Sequence, residues 1–176
     1  NTPYGCAKAW ATLYGQHLAR ERNIPITILR PFSVFGPWES LPRFMPSVIL
    51  SCLRRAAPKV TNPLLVRDFI FVDDVVRACL VAADNPLPGE VINIGFGHQM
   101  SLGETAELIL KNIKTKVNIE IGGAGRSFDK TNIIWQADIS KAKKLLDWEP
   151  KFSQEEGIIK TINWFHENQN LYQTTI

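Results

Sequence analysis

The sequence contains few cysteines and no long apolar run. Its three cysteines, Cys6, Cys52 and Cys79, form no Cys-x-x-Cys pair and stand among apolar neighbours, so we expect reduced, buried thiols rather than a disulfide or a zinc site. The longest apolar stretches, such as residues 47–53, are far shorter than the roughly 18 residues that span a bilayer. These absences predict a cytoplasmic protein without a membrane partner.

A large charge of one sign is also missing. The 176 residues carry 20 Lys and Arg against 17 Asp and Glu, which gives a net charge of +3. Nucleic-acid binding needs a stronger basic footprint and is therefore not expected. The three histidines are scattered without the spacing of metal ligands, so no metal site is predicted. Hydrophobic residues at 45% and charged residues at 21% are ordinary globular values, and the length predicts one domain or slightly more.

Strand-like and helix-like segments alternate along the chain. Residues 24–29 are apolar and β-branched without alternation, which is typical of a strand buried on both faces of a parallel sheet. Asp73 and Asp74 precede an apolar helical pattern, and we expect them to cap that helix. Further strands are predicted at 59–61, 67–72, 91–94 and 117–121, and further helices at 2–22, 45–55, 101–112, 140–146 and 153–168. The helices that begin after Ser101 and Ser153 each start with a Ser-x-x-Glu capping box. The alternation predicts an α/β fold.

The first predicted helix carries a tyrosine and a lysine one turn apart, Tyr4 and Lys8. A cation beside a phenol favours the phenolate, which makes the tyrosine usable as a general base near neutral pH. Such a base can take a hydroxyl proton while a hydride leaves the same carbon. The spacing alone is more typical of a surface pair that stabilises a helix, so the neighbouring motifs have to decide between the two interpretations.

Several further motifs follow in a fixed order. The motif around Tyr4 and Lys8 is Tyr4-Gly5-Cys6-Ala7-Lys8. The motifs after it are, in chain order, Arg30-Pro31-Phe32-Ser33-Val34-Phe35-Gly36-Pro37, Arg67-Asp68-Phe69, Val72-Asp73-Asp74-Val75, Asn93-Ile94-Gly95, Asp138-Ile139-Ser140-Lys141-Ala142 and Asp147-Trp148-Glu149-Pro150. The set spans nearly the whole chain. It resembles the extended short-chain dehydrogenase/reductases, the family of nucleotide-sugar epimerases and dehydratases.

This resemblance implies a catalytic pair and a cofactor site. Tyr4 would be the catalytic acid/base, and Lys8 would activate it and bind the nicotinamide ribose of NAD or NADP. The segment that would contact the nicotinamide is Pro31, Phe32, Ser33 and Val34. Gly95-Phe96-Gly97 is not expected to be a dinucleotide loop, because the third glycine position falls on Met100.

The resemblance also implies a binding site for a nucleotide-diphosphate sugar. Arg43 and Phe44 would stand at a helix start that holds the nucleotide, and helix amino-termini suit phosphate. Arg67 and Arg126 would clasp the diphosphate with their guanidinium groups. Ser33 would approach the same substrate, although a serine is shorter than the asparagine common in the family.

The resemblance further implies how the chain is organised. Family members carry a Gly-rich dinucleotide turn and a catalytic Ser or Thr before the tyrosine, and residues 1–176 contain neither. Residues 1–36 would then be the last elements of an NAD(P)-binding Rossmann domain whose N-terminal part is absent. Residues 37–176 would mostly form a small α/β substrate-binding lobe, with about 67–95 returning to the doubly wound parallel sheet. The chain alone would be inactive, and the complete protein would be a homodimer.

The implied activity is that of an NAD(P)-dependent 4-epimerase with a transient 4-keto sugar. Two alternatives from the same family stay open, a 4-keto reductase and a 4,6-dehydratase, because they use the same tyrosine and lysine. An alternative of another class is a non-catalytic binding or structural fragment that keeps the fold without turnover.

Overall fold

The computed structural model describes residues 2–122 and 134–172. The helices are α1 (Pro3–Glu21), α2 (Phe44–Leu53), α3 (Val72–Asp84), α4 (Leu102–Ile113), α5 (Ser140–Leu146) and α6 (Gln154–Glu167), followed by a 3₁₀ turn at Gln169–Tyr172. The strands are β1 (Ile28–Pro31), β2 (Ser33–Phe35), β3 (Lys59–Val60), β4 (Val66–Arg67), β5 (Phe69–Phe71), β6 (Val91–Ile94), β7 (Met100–Ser101) and β8 (Glu120–Ile121). The α/β prediction is confirmed.

The helix starts follow local chemistry that the sequence already shows. The Thr2 hydroxyl accepts the Gly5 N–H at 3.0 Å, and Pro3 occupies the first helical position of α1, where no N–H is needed. Ser101 and Ser153 each form a complete capping box with a glutamate three residues on, at the starts of α4 and α6. Both predicted boxes are confirmed.

The strands pair mostly in parallel, and the chain changes partner at one residue. β1 pairs with β6 and β2 pairs with β5, both in parallel, while β3 pairs with β8 in parallel and β4 with β7 antiparallel. Only Phe32 separates β1 from β2, so the strand direction continues while the neighbouring strand changes from β6 to β5. Phe32 therefore lies at the carboxyl end of β1, and ligands of open parallel sheets bind outside such ends.

Two apolar cores lie on opposite sides of β5, because alternate side chains of a strand point to opposite faces. Phe69 and Phe71 join a core with α2, α4 and α6 that includes Phe35, Met45, Ile109 and Phe165. Ile70 joins a second core with β6, α3 and α5 that includes Ala78, Ile92, Ile94 and Trp148. β5 therefore contributes side chains to both cores and joins them.

The strand predicted at 24–29 starts later and is less buried than expected. Pro25 has no N–H for a strand ladder, and the Ile26 N–H donates to the Ile24 carbonyl at 2.8 Å, so pairing begins only at Ile28. Ile28 and Leu29 are half-buried, and Arg30 and Pro31 are exposed. The strand predicted at 117–121 is likewise shorter, and the one at 67–72 is divided by Asp68 into β4 and β5.

Asp73 and Asp74 do not cap the helix that follows them, which corrects the prediction. α3 already begins at Val72, and its N-cap Phe71 offers no side-chain hydrogen bond. Asp73 is exposed in the first turn, where its charge suits the helix dipole. The buried Asp74 carboxylate instead accepts the N–H groups of Lys151 at 2.8 Å and Phe152 at 3.2 Å, and so ties α3 to the start of the C-terminal segment.

The three cysteines are free, but only one of them is buried. Cys52 lies in the core against α4 and α6, and burial raises the pKa of its thiol to about 11. Cys6 and Cys79 are exposed, contrary to the expectation. They lie on α1 and α3, whose outward faces also expose apolar side chains such as Leu13 and Leu80.

Candidate active site

The partner change between β1 and β2 places the predicted nicotinamide segment at the carboxyl edge of the strands. The Phe32 N–H donates to the Ile94 carbonyl at 2.8 Å, the last contact of β1 with β6. The Ser33 N–H donates to the Asp68 carbonyl at 3.0 Å, the first contact of β2 with its new neighbour. The structure thus holds Phe32 and Ser33 directly after the carboxyl end of β1, and ligands of open parallel sheets bind outside such strand ends.

An arginine and two aromatic rings lie together beside this segment, and we call Phe32, Arg67 and Trp135 the Arg67 cluster. The Arg67 guanidinium carbon lies 5.4 Å from the centre of the Trp135 ring, within cation–π distance, and Arg67 Nη1 donates to the Val66 carbonyl at 2.7 Å. Phe32 meets the edge of the same tryptophan at 6.4 Å between ring centres. The structure therefore brings the predicted cofactor segment and a predicted phosphate-binding arginine together.

The start of α2 reaches the same region through Phe44. The Phe44 ring stacks on Phe69 at 6.0 Å with an interplanar angle of 20°, and Phe69 lies two residues after Arg67. Phe44 is half-buried by this contact, whereas Arg43, the N-cap of α2, is exposed and makes no capping side-chain bond. The free amide groups of a helix start next to an arginine suit a phosphate group.

Asp68 is the central buried acid of the region. Its side chain is fully buried, and its carboxylate accepts the N–H groups of Phe96 at 2.7 Å, Gly97 at 3.0 Å and Ala137 at 2.9 Å. Burial raises the pKa of the Asp68 carboxyl, against the lowering effect of these three donors. The Gly95-Phe96-Gly97 turn thus serves to bind a carboxylate of this chain.

Tyr4 and Lys8 lie in the first turns of α1. Tyr4 is 73% exposed, and Lys8 Nζ lies 5.6 Å from the centre of its ring. The helix contacts the rest of the chain farther along, where Gln16 Nε2 donates to the Gly89 carbonyl at 3.1 Å. The Gly89 N–H in turn donates to the carbonyl of Ile26, which precedes the amino end of β1. The later part of α1 therefore lies beside the beginning of β1, and the helix runs antiparallel to the strand.

The direction of α1 determines where its first turn lies relative to β1. Gly15 packs against Ile28, the first residue of β1, and Tyr4 lies about 16 Å earlier along the helix at 1.5 Å per residue. β1 covers only about 10 Å from Ile28 to Pro31. The start of α1 therefore extends past the carboxyl edge of β1, toward the side on which Phe32 lies.

A second unusual acid, Glu39, precedes Arg43 in the loop between β2 and α2. Its Oε2 atom is buried and has no hydrogen-bond donor among the described residues. Burial raises the pKa of Glu39 to about 7, and the nearby Arg43 charge lowers it in part. The Tyr172 hydroxyl donates to the Glu39 carbonyl at 3.0 Å, so the C-terminal 3₁₀ turn holds this loop in place.

Arg126, the second predicted diphosphate ligand, lies outside the described residues. Within 2–122 and 134–172 there is no group of three acidic, histidine or cysteine side chains able to hold a metal ion. In the same ranges no helix has the length and apolarity needed to cross a membrane.

Sequence reasoning missed three residues of this region: Asp68, Trp135 and Glu39. A signal existed for Asp68, because a carboxylate between Arg67 and an apolar strand needs buried partners. Trp135 has no comparable signal, since it comes close to Arg67 only through a contact across 68 positions of the chain. Glu39 stands among loop residues, and nothing in its sequence neighbourhood indicates burial.

Comparison with known proteins assigns the chain to a family. Residues 1–95 match the NAD dependent epimerase/dehydratase family, and the chain belongs to it. It is 33% identical over 179 residues to a UDP-glucuronate 4-epimerase of Thermodesulfobacterium geofontis, covering 98% of this chain and 53% of that protein. It is 32% identical over 172 residues to a human dTDP-D-glucose 4,6-dehydratase, covering 94% of this chain and 49% of that protein.

Solved structures agree with this assignment. A crystal structure of UDP-glucose 4-epimerase with UDP-glucose from Thermotoga maritima matches 96% of this chain and 55% of its own, with a TM-score of 0.88 and 29% identity. A dTDP-glucose 4,6-dehydratase from Bacillus anthracis in complex with NAD matches 97% of this chain and 54% of its own, with a TM-score of 0.87 and 26% identity. The fold is of the Rossmann type found in these enzymes, and the chain spans about half the length of the relatives it matches.

Proposed function

We propose that this chain supplies the catalytic tyrosine and the substrate lobe of an NAD(P)-dependent nucleotide-sugar 4-epimerase. The observation that carries the proposal is the exposed Tyr4 phenol with Lys8 beside it, at the end of α1 that extends past the carboxyl edge of β1. Relatives named as 4-epimerases and 4,6-dehydratases support the class of reaction. Because the chain spans about half of those relatives, the activity is proposed for the complete protein.

Tyr4 acts as the acid and base of the reaction. Its phenolate takes the proton of the sugar 4-hydroxyl as the C4 hydride leaves, and the phenol returns that proton to the 4-keto oxygen in the second half-reaction. Lys8, whose Nζ lies 5.6 Å from the ring centre, would assist this proton transfer and bind the nicotinamide ribose. A bound NAD or NADP would accept the hydride and give it back to the other face of the sugar.

The described residues fit the nicotinamide half of such a cofactor. Phe32 and Ser33 lie between β1 and β2 with their backbone N–H groups bonded to Ile94 and Asp68, and Pro31 is exposed beside them. Pro31, Phe32, Ser33 and Val34 would bind the nicotinamide. The dinucleotide phosphates would be bound by a Gly-rich turn that residues 1–176 do not include. The division into residues 1–36 and 37–176, with about 67–95 returning to the sheet, stays a proposal, and the parallel pairing of β5 with β2 and of β6 with β1 supports that return.

The substrate would be bound by its diphosphate and its nucleotide. Arg67, whose guanidinium lies against Trp135, would bind the diphosphate, and Arg126 would supply the second guanidinium. Arg43 and Phe44 would hold the nucleotide at the free amides of α2. Trp135 adds an aromatic face that closes one side of this site.

We also propose that the complete protein is a homodimer. Trp10 and Leu13 on α1 are 64% and 66% exposed, and Tyr14 stacks on Trp10 at 4.9 Å, which forms an apolar face that the described chain leaves uncovered. Large exposed apolar faces mark interaction surfaces. The cytoplasmic location expected from the sequence stays a prediction.

The test uses the complete protein with UDP- and dTDP-sugars. An epimerase interconverts the two C4 stereoisomers without net consumption of nicotinamide. Net oxidation of the reduced cofactor would instead identify a 4-keto reductase, and loss of water with a 4-keto-6-deoxy product would identify a 4,6-dehydratase. No conversion and no bound nicotinamide would contradict the proposal and favour a non-catalytic fragment.

A further inference from the structure

One fully buried carboxylate connects segments that are far apart in the sequence. Asp68 Oδ1 accepts the Phe96 N–H, and Asp68 Oδ2 accepts the N–H groups of both Gly97 and Ala137. Gly95 leaves the space that this contact needs, because an added Cβ would lie 2.4 Å from Ala137 Cβ and 3.2 Å from both carboxylate oxygens. The carboxylate is thus enclosed between the turn after β6 and the segment before α5.

The segment held by Asp68 comprises Trp135, Gln136 and Ala137, and we call it the Trp135 segment. Its attachment is reinforced on both sides, since the Trp135 N–H donates to Gln99 Oε1 at 2.9 Å and Gln136 Nε2 donates to the Gly97 carbonyl at 2.9 Å. Trp135 then covers the guanidinium of Arg67, the residue directly before Asp68. The Asp68 side chain therefore holds the segment whose ring lies against the Arg67 guanidinium.

We propose that Asp68 is a positioning residue that sets the orientation of Arg67 for the substrate diphosphate by holding the Trp135 segment in place. This inference rests on the proposed nucleotide-sugar site. It adds a residue that does not touch the substrate and acts through Trp135 and Arg67. The Ser33 N–H binds the Asp68 carbonyl, so the nicotinamide segment depends on the backbone of Asp68 and not on its carboxylate.

Asp68→Asn is the sharpest perturbation, because it changes almost no volume. A carboxamide has one acceptor oxygen, so at least one of the three N–H groups must face the NH₂ group. Arg67, Trp135 and the backbone of Ser33 are left chemically unchanged. The matched control is Asp74→Asn. Asp74 is also fully buried and accepts two backbone N–H groups, those of Lys151 and Phe152 before α6, and it pairs with Arg77 rather than with a residue of the Arg67 cluster.

The experiment titrates the complete protein with UDP and with dTDP by calorimetry, for the parent, Asp68→Asn, Arg67→Ala, the double variant and Asp74→Asn. We expect Asp68→Asn to weaken the better-bound of the two diphosphates about tenfold or more, as a misplaced charge-assisted hydrogen bond does. The double variant should bind no more weakly than Arg67→Ala alone, because both changes remove the same contact. Bound nicotinamide should be unchanged, and Asp74→Asn should leave the affinity within about twofold of the parent.

Each contrary outcome has a distinct meaning. If Arg67→Ala weakens binding and Asp68→Asn does not, the positioning role is overturned while the proposed substrate site stands. If Arg67→Ala has no effect, both the positioning role and the proposed diphosphate site are overturned. Additive losses in the double variant, or an equal loss in Asp74→Asn, also overturn the positioning role, because a merely structural residue gives that result.

A milder variant covers the case in which Asp68→Asn does not fold. Gln99→Ala removes the acceptor of the Trp135 N–H without leaving a changed group inside the core. We expect it to weaken diphosphate binding in the same direction by a few-fold and to lose that effect in the Arg67→Ala background. Unchanged affinity in Gln99→Ala would overturn the proposal.

Discussion

The buried carboxyl of Glu39 makes the stability of the protein fall with rising pH in a defined window. Its pKa is raised from an ordinary 4.5 to about 7, chiefly by burial and against the lowering effect of Arg43. The native state therefore holds this proton more tightly than the unfolded chain does. Its contribution to stability is fully present below about pH 4.5 and is lost as the pH rises through about 7.

The size of the effect follows from the shift. Each pKa unit corresponds to about 1.4 kcal/mol, so the shift from 4.5 to about 7 corresponds to about 3.5 kcal/mol at most. The carboxyl is only partly buried, and solvent reduces this value toward about 2 kcal/mol. Glu39→Gln keeps the shape of the side chain and removes the ionisation, so this part of the pH dependence should disappear.

The assay is urea denaturation at pH 5, 6, 7 and 8, followed by tryptophan fluorescence. We expect the parent to lose about 1.5 kcal/mol relative to Glu39→Gln between pH 5 and pH 8, because part of the window lies below pH 5. The control is Glu167→Gln, which changes an exposed carboxyl at the end of α6 and should follow the parent. A difference in free energy of unfolding between parent and Glu39→Gln that stays constant across this range would refute the reasoning. A parent that gains stability relative to the variant as the pH rises would show that the Glu39 pKa is lowered instead of raised.

Two further substitutions test the packing and the caps. Gly157→Ala should destabilise the protein by about 1–3 kcal/mol, because the added Cβ would lie 2.9 Å from Phe35 Cζ and 3.0 Å from Phe71 Cβ; an unchanged urea midpoint would contradict this packing. Ser101→Ala should cost about 1 kcal/mol, because it leaves the Glu104 N–H without its capping acceptor; a loss below a few tenths of a kcal/mol in the same assay would show that the cap is dispensable.

Local chemistry explains what could be predicted from the sequence. Thr2 and the two serine boxes act within three residues, so their helix starts are readable without the fold. Tyr4 and Lys8 are readable for the same reason, because one helical turn brings them together whatever surrounds the helix.

Contacts between distant segments explain what could not be predicted. Asp74 looks like a cap because it precedes an apolar helix, but its partners Lys151 and Phe152 lie 77 and 78 positions later. Cys6 and Cys79 have apolar neighbours, yet they lie on helix faces that the described chain does not cover. For Asp74 the deciding partner is remote in the sequence, and for the two cysteines the local pattern does not reveal which helix face is covered.

The late start of β1, at Ile28 instead of residue 24, depends on contacts at shorter range. Residues 24–29 have the composition of a buried strand, but Pro25 lacks the N–H that a ladder requires. Pro25 alone indicates that the strand is interrupted near its start. The hydrogen bond from the Ile26 N–H to the Ile24 carbonyl, which delays pairing to Ile28, depends on how the chain leaves α1.

The central claim is that Tyr4 moves the proton while C4 of the sugar exchanges its hydride. The most direct measurement is the turnover of the complete protein with Tyr4→Phe, beside Tyr14→Phe as a control on the same helix. We predict that Tyr4→Phe lowers kcat about 10²-fold to 10⁴-fold with little change in diphosphate affinity, while Tyr14→Phe keeps the parent kcat. A Tyr4→Phe protein that turns over at the parent rate would contradict the account.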